Sequence, residues 1–119
     1  MFNVVIIGAE NVHNYDFFQE KCIYYLKSKV QNHEYIRVLT IGDKYVDMFA
    51  SKFGIETKKY DVHWALGGKE ALKRRNQEII NDSDAVIYFD TNKKNLEYIY
   101  NLAAKIGKPR RRVMVSNPL

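Results

Sequence analysis

The sequence has little cysteine and proline and lacks long apolar runs: one Cys and two Pro occur among 119 residues. A single cysteine excludes an intrachain disulfide and therefore a disulfide-dense secreted domain. Without a run of about 18 apolar residues, no transmembrane helix is predicted. The first residues, MFNVVIIGAEN, contain no basic segment and no small-residue cleavage site. We therefore expect no signal peptide, a cytoplasmic location and no membrane partner.

The charge balance is mildly basic, with 19 Lys and Arg against 14 Asp and Glu, a net charge of +5. A basic surplus favours anionic partners, but one this small fits nucleotide phosphates, nucleic acid or plain solubility equally well. The 46% hydrophobic and 28% charged residues are typical of a globular protein. No linker or repeat divides the chain, so residues 1–119 are predicted to form one domain.

Short apolar runs alternate with segments of helical spacing. The predicted strands cover 3–7, 36–41, 55–60, 85–89 and 112–116, of which the polar third strand is expected at a sheet edge. The predicted helices cover 14–30, 44–53, 69–81 and 96–106. Strict alternation predicts an α/β fold: a single doubly wound Rossmann-like domain with a five-stranded, mostly parallel sheet and helices on both faces.

Such a sheet binds ligands beyond the carboxyl ends of its strands, so the residues that follow each strand are the first candidates. After the first strand we assign Gly8, Ala9 and Glu10 to ligand binding. Gly8 would let the backbone approach a ligand, although a plain turn glycine explains it equally well. No GxGxxG pattern follows, so the dinucleotide fingerprint is absent.

The second and fourth strands end in polar turns. Gly42, Asp43 and Asp47 follow the second strand, where a carboxylate could accept from ribose hydroxyls or, as we favour for Asp43, cap the next helix. The fourth strand is followed by a turn whose donors suit a phosphate, or which is a solvated loop. The candidate ligand-binding residues in that turn are Asp90, Thr91, Asn92 and Lys94.

Four cations crowd the third predicted helix, between Lys69 and Arg75. A solvated basic face accounts for Lys69 and Lys73. Asn76, in contrast, falls on the apolar stripe, where a buried amide needs partners. Arg75 is a bidentate donor suited to phosphate or carboxylate. Both are assigned to ligand binding.

Other site chemistries find little support. The three histidines lack metal-ligand spacing, and Cys22 lies on an apolar helix stripe, so neither a metal nor a cofactor is predicted. The run 110–112 (RRR) is interpreted as a solvated end beside the last strand, rather than as a nucleic-acid patch.

With these residues in view, the chain resembles the SLOG superfamily of Rossmann-like nucleotide-binding domains, and within it the small YspA-like proteins. The resemblance covers nearly the whole chain. It is carried by VVIIGAEN at the first strand, TIGDKYVD at the second and the pair Arg75-Asn76 before the fourth. The superfamily includes the lonely-guy phosphoribohydrolases and the DNA-processing DprA proteins.

One motif departs from that pattern. Where the family places a phosphate loop PGGxGT followed by an acidic residue, this chain has DTNKKN and then Glu97. The proline and all three glycines are gone, and Ile41 replaces the first glycine of the second turn. A turn without these glycines brings fewer backbone N–H groups onto a phosphate, so the side chains of Thr91, Asn92 and Lys94 would have to bind it instead. The resemblance implies that Glu97 and Arg75 are catalytic if the chain cleaves an N-glycosidic bond.

The resulting hypothesis is a protein that binds a nucleotide or nucleotide-derived ligand at the strand carboxyl ends. Two alternatives stay open: a nucleoside phosphoribohydrolase of the lonely-guy type, and a phage or mobile-element accessory module without a small ligand. Nucleic acid is placed last among partners. Because sheets of this kind often pair through helices and tyrosines suit interfaces, a homodimer is expected.

Overall fold

Strands and helices alternate along the chain as the hydrophobic pattern predicts. The computed structural model describes residues 1–32, 34–90 and 97–115. The strands are β1 (Phe2–Ile7), β2 (Ile36–Thr40), β3 (Glu56–Lys59), β4 (Ala85–Asp90) and β5 (Arg110–Met114). The α-helices are α1 (Tyr15–Gln31), α2 (Lys44–Phe53), α3 (Gly68–Asp82) and α4 (Glu97–Lys105). Short 3-10 helices cover Ala9–Asn11 and Trp64–Leu66.

The five strands form one sheet in the order β3-β2-β1-β4-β5, and every neighbouring pair is parallel. The α/β class is therefore confirmed, and the sheet is parallel throughout. From β1 the chain first builds outward to β2 and β3, then crosses back to place β4 on the other side of β1. Because crossovers between parallel strands are right-handed, this reversal puts α1 and α2 on one face and α3 and α4 on the other.

Side chains of the central strands alternate between two cores. Val4 and Ile6 of β1 pack with Phe18 of α1 on one face. Val5 and Ile7 pack with Ile79 of α3 on the opposite face. Both sets are buried, as a strand covered on both sides requires. This explains why 3–7 is a continuous apolar run.

The two edge strands are more polar. All four residues of β3 are exposed, which confirms its predicted edge position. The last predicted strand is present but begins earlier, at Arg110 and not at Arg112, because backbone pairing with β4 runs from Val86–Arg110 to Asp90–Met114. At an edge this pairing needs no apolar run, so Arg110 and Arg111 belong to the strand together with Arg112, while Arg111 and Arg112 are exposed to solvent as predicted.

The buried faces of the helices also differ slightly from the predicted stripes. On α1, Phe18, Cys22 and Leu26 are buried as predicted, but Val30 is exposed. On α3, Leu72 is 39% exposed and Ala71 is buried, because Leu72 lines a groove instead of meeting the sheet. Among the residues that the structure describes, no helix has the length and apolar character to cross a bilayer.

Candidate functional site

The turn after β1 lies at the switch point of the sheet, where β1 and β4 are neighbours and their crossovers leave in opposite directions. Gly8 has a φ of +84°, and a Cβ built there would overlap the carbonyl oxygen of Phe89 and lie 3.1 Å from its carbonyl carbon. Only glycine fits both conditions. Ala9 is fully buried and its methyl group joins the α1–α2 core, whereas Glu10 is exposed.

The turn after β2 is built by two side chains. Thr40 Oγ1 accepts from the backbone N–H groups of Gly42 at 3.0 Å and of Asp43 at 3.4 Å. Asp43 then caps α2, accepting from Tyr45 N at 2.9 Å and from Val46 N at 3.4 Å. The capping role of Asp43 is confirmed. Sequence reasoning missed Thr40, although a threonine two residues before a glycine is a known turn signal.

Asp43 joins this turn to the turn after β1. Only 6% of Asp43 is exposed, and this burial raises the pKa of its carboxyl. Hydrogen bonds from the backbone of Tyr45 and Val46 lower that pKa; the charge of Glu10 raises it, and a bond from the Glu10 backbone lowers it. Glu10 and Asp43 therefore meet. Asp47, one helical turn further, is exposed.

The substitution Asp43→Asn tests the raised pKa of Asp43, because asparagine caps helices as well as aspartate does. The pKa of Asp43 is raised in the fold, so between the ordinary value of 3.8 and the folded value the native state binds more protons than the unfolded state. That contribution to stability is present below pH 3.8 and is lost as pH rises through the folded pKa.

We expect the stability of Asp43→Asn, relative to the unmodified chain, to increase between pH 3 and pH 7. Urea unfolding of both proteins at each pH measures this difference, and subtracting the two curves removes titrations that they share. A difference that stays constant with pH, or that moves the other way, would contradict the assignment.

The end of β4 is held by an arginine that sequence reasoning had set aside. Arg112 Nε lies 3.6 Å from Asp90 Oδ2, and its Nη2 lies 3.3 Å from Glu97 Oε1. Asp90 is 8% exposed. The guanidinium also stacks 4.9 Å from the ring of Tyr100. Arg112 therefore links the last residue of β4 to the first residue of α4.

Glu97, the predicted catalytic acid, thus contacts Arg112, from β5. The contact was missed because it depends on the register between β4 and β5, which no local pattern reveals. The predicted phosphate donors Thr91, Asn92 and Lys94 lie outside the described residues.

Arg75 and Asn76 form a second group, on the opposite face of the sheet. Asn76 is 5% exposed, as its position on the apolar stripe predicts, and its Oδ1 accepts from Arg75 Nε at 2.8 Å. Arg75 Nη1 donates to the backbone carbonyl of Tyr60 at 3.5 Å. Partial burial lowers the pKa of Arg75, and the nearby charge of Asp61 raises it. The guanidinium is therefore fixed from two sides.

A groove of about 320 Å³ opens beside this pair, between the first halves of α3 and α4. Lys69 and Lys73 line it together with Arg75, and both lysines are exposed, as predicted for a solvated basic face. The positions 69, 73 and 76 are spaced by four and three residues and so share one side of a helix. That spacing is the sequence signal that could have grouped the two lysines with Asn76. Leu72, Tyr98 and Ile99 supply the apolar part of the groove.

The predicted site residues thus fall into groups. Gly8 lies against the end of β4, Glu10 meets Asp43 on the α1–α2 side, and Asp90 and Glu97 meet at Arg112. Arg75 and Asn76 lie with the two lysines on the α3–α4 side. Across the described ranges 1–32, 34–90 and 97–115, no three His, Cys, Asp or Glu side chains are grouped to hold a metal ion.

No protein-family model matches this chain, and neither curated proteins nor solved structures include a significant match. The likeness to the SLOG superfamily therefore depends on the quoted motifs alone. The fold class has independent support, since the all-parallel sheet and its strand order are seen directly.

An apolar groove of about 400 Å³ lies elsewhere, between the last turns of α1 and α2 at the amino edge of the sheet. Ile23, Val30 and Phe53 line it and are all more than 40% exposed. Exposed apolar surface of this kind is typical of protein contacts. The expected homodimer stays a prediction.

Proposed function

We propose that this protein binds a nucleotide or nucleotide-derived ligand at the carboxyl ends of its strands. The observation that carries the proposal is the state of Arg75. Its guanidinium is partly buried and oriented by Asn76 and the Tyr60 carbonyl, yet the ion pairs of the described residues do not include it. A fixed, unpaired guanidinium suits a phosphate, which it can bind through two parallel hydrogen bonds.

The distribution of charge around the sheet edge supports the same class of ligand. Exposed carboxylates lie on the α1–α2 side, at Glu10 after β1 and at Asp47 in the first turn of α2, whereas the groove side of α3 carries Lys69, Lys73 and Arg75. Carboxylates accept hydrogen bonds from ribose hydroxyls, and cations attract phosphate. A ligand with a neutral polyol at one end and an anion at the other fits this division.

Calorimetric titration with nucleoside phosphates, cyclic nucleotides and ADP-ribose derivatives tests the proposal. We expect at least one of them to bind, and Arg75→Met to weaken that binding about tenfold or more, since charge-assisted hydrogen bonds to one phosphate are lost. Arg74→Met is the matched control: it removes the same charge from the neighbouring exposed position, outside the groove.

The control also separates a specific site from general attraction to a basic helix. Equal weakening by Arg74→Met and Arg75→Met would mean that only the net charge of α3 matters. If no member of the panel binds at millimolar concentration to folded protein, the proposal fails.

A further inference from the structure

Three cations share the groove between α3 and α4 without a carboxylate to neutralise them. Among the residues that the structure describes, the ion pairs involve Lys29, Arg37, Lys58, Lys59 and Arg112, but neither the two groove lysines nor Arg75. The acidic group that acts on Arg75 is Asp61, which is itself 3.5 Å from Lys59. The groove thus has an excess of positive charge.

The geometry of α3 places the two lysines on one side of the helix, and Arg75 lines the same groove. Lys69 and Lys73 are four residues apart, so their side chains leave the same side of the helix, and like charges at this spacing destabilise a helix. Arg75 uses two of its five N–H donors on Asn76 and Tyr60, which leaves three for a ligand. An anion that contacts all three side chains would relieve the repulsion.

A single phosphate that binds the planar guanidinium of Arg75 through two hydrogen bonds has few oxygens left for the two lysines. Two linked phosphates extend further along the helix and bring a second set of oxygens toward Lys69 and Lys73. The volume of about 320 Å³ lies within the range of small-ligand pockets. Leu72 and Ile99 add apolar surface to the groove, against which the rest of a ligand could pack.

We propose that the α3–α4 groove is a diphosphate subsite, so that the ligand is a nucleoside diphosphate or a longer polyphosphate derivative. Arg75 binds one phosphate through its fork, and Lys69 and Lys73 bind the next. This inference rests on the proposed function for the identity of the rest of the ligand. The choice of two phosphates over one depends only on the groove.

The test uses inorganic pyrophosphate and inorganic phosphate as probes, because neither depends on a base or a sugar, together with ADP and AMP. Titrations are made on the full chain in a buffer without phosphate at fixed ionic strength. We expect pyrophosphate to bind about tenfold more tightly than phosphate, and ADP about tenfold more tightly than AMP. In Lys73→Met both ratios should fall toward one, whereas in Arg74→Met they should persist.

The outcomes distinguish this inference from the proposed function. If ADP and AMP bind equally well, the diphosphate subsite is refuted while nucleotide binding stands. If pyrophosphate binds with the expected preference but no nucleotide does, the subsite stands and the nucleotide proposal fails. Tighter binding of a single-stranded oligonucleotide than of ADP, lost in Lys73→Met, would overturn the subsite in favour of a nucleic-acid backbone. Thermal unfolding of each variant confirms that it is folded.

Discussion

Replacing Gly8 with alanine is expected to destabilise the fold by about 3 kcal/mol or more. Two costs add. The φ of +84° is a conformation that residues with a Cβ adopt only with strain. The new methyl group would also collide with the Phe89 carbonyl, which is backbone in the middle of the sheet and cannot rotate away. Urea unfolding monitored by far-ultraviolet circular dichroism measures the loss.

Gly54→Ala is the matched control for this prediction. Gly54 ends α2 with a φ of +64°, and a Cβ built there meets nothing within 4 Å. The control therefore contains the backbone strain without the collision, and we expect a cost of about 1 kcal/mol. Equal losses in the two variants would show that β1 and β4 do not approach as closely at Gly8 as the structure has them.

At Gly8 the backbones of β1 and β4 approach closely, beside the switch point of the sheet. No side chain stands between the two strands there, so the turn after β1 begins directly beside the end of β4. The carboxylates of Glu10 and Asp43 lie on one side of it. A side chain at this position would have to displace the Phe89 carbonyl from the end of β4.

The fold could be predicted because its signals are local. An apolar run such as NVVII needs burial on both faces, and an Asp before a helix or a Gly after it has a backbone role that short sequence context reveals. Asp43 caps α2 and Gly54 ends it in the left-handed conformation, as predicted. Strict alternation of these elements then leaves few possible topologies.

The site could be predicted only in part, because its groups come from elements far apart in the chain. Arg112 reaches Asp90 and Glu97 through the register of β4 and β5, and Arg75 reaches the Tyr60 carbonyl across the end of β3. No local pattern encodes either contact. Lys69 and Lys73 are exposed, as a helical wheel predicts, but only the packing of α4 against α3 shows that they line a groove.

A second large effect is expected for Phe18→Ala, which should cost about 3 to 5 kcal/mol. The Phe18 side chain is fully buried on α1, and its ring lies 4.9 Å from the ring of Phe89 and 5.8 Å from that of Tyr45. Truncation to alanine removes these ring contacts and leaves a cavity beneath the sheet. Urea unfolding again measures the loss.

Phe53→Ala is the control, since it deletes the same atoms from a ring that is 44% exposed and contacts Phe49 at 5.0 Å. We expect it to cost less than half as much as Phe18→Ala, because much of its surface already meets water.

The amide resonances of Asp43 and Asp90 give a second measurement, because both residues are neighbours in sequence of rings that contact Phe18. Phe89 precedes Asp90, and Tyr45 lies in the first turn of α2, after Asp43. Loss of Phe18 should therefore shift the amide resonances of Asp43 and Asp90, whereas Phe53→Ala leaves them in place. Similar losses of stability in both variants, or unchanged amides in Phe18→Ala, would mean that this ring cluster does not support the two turns at the sheet edge.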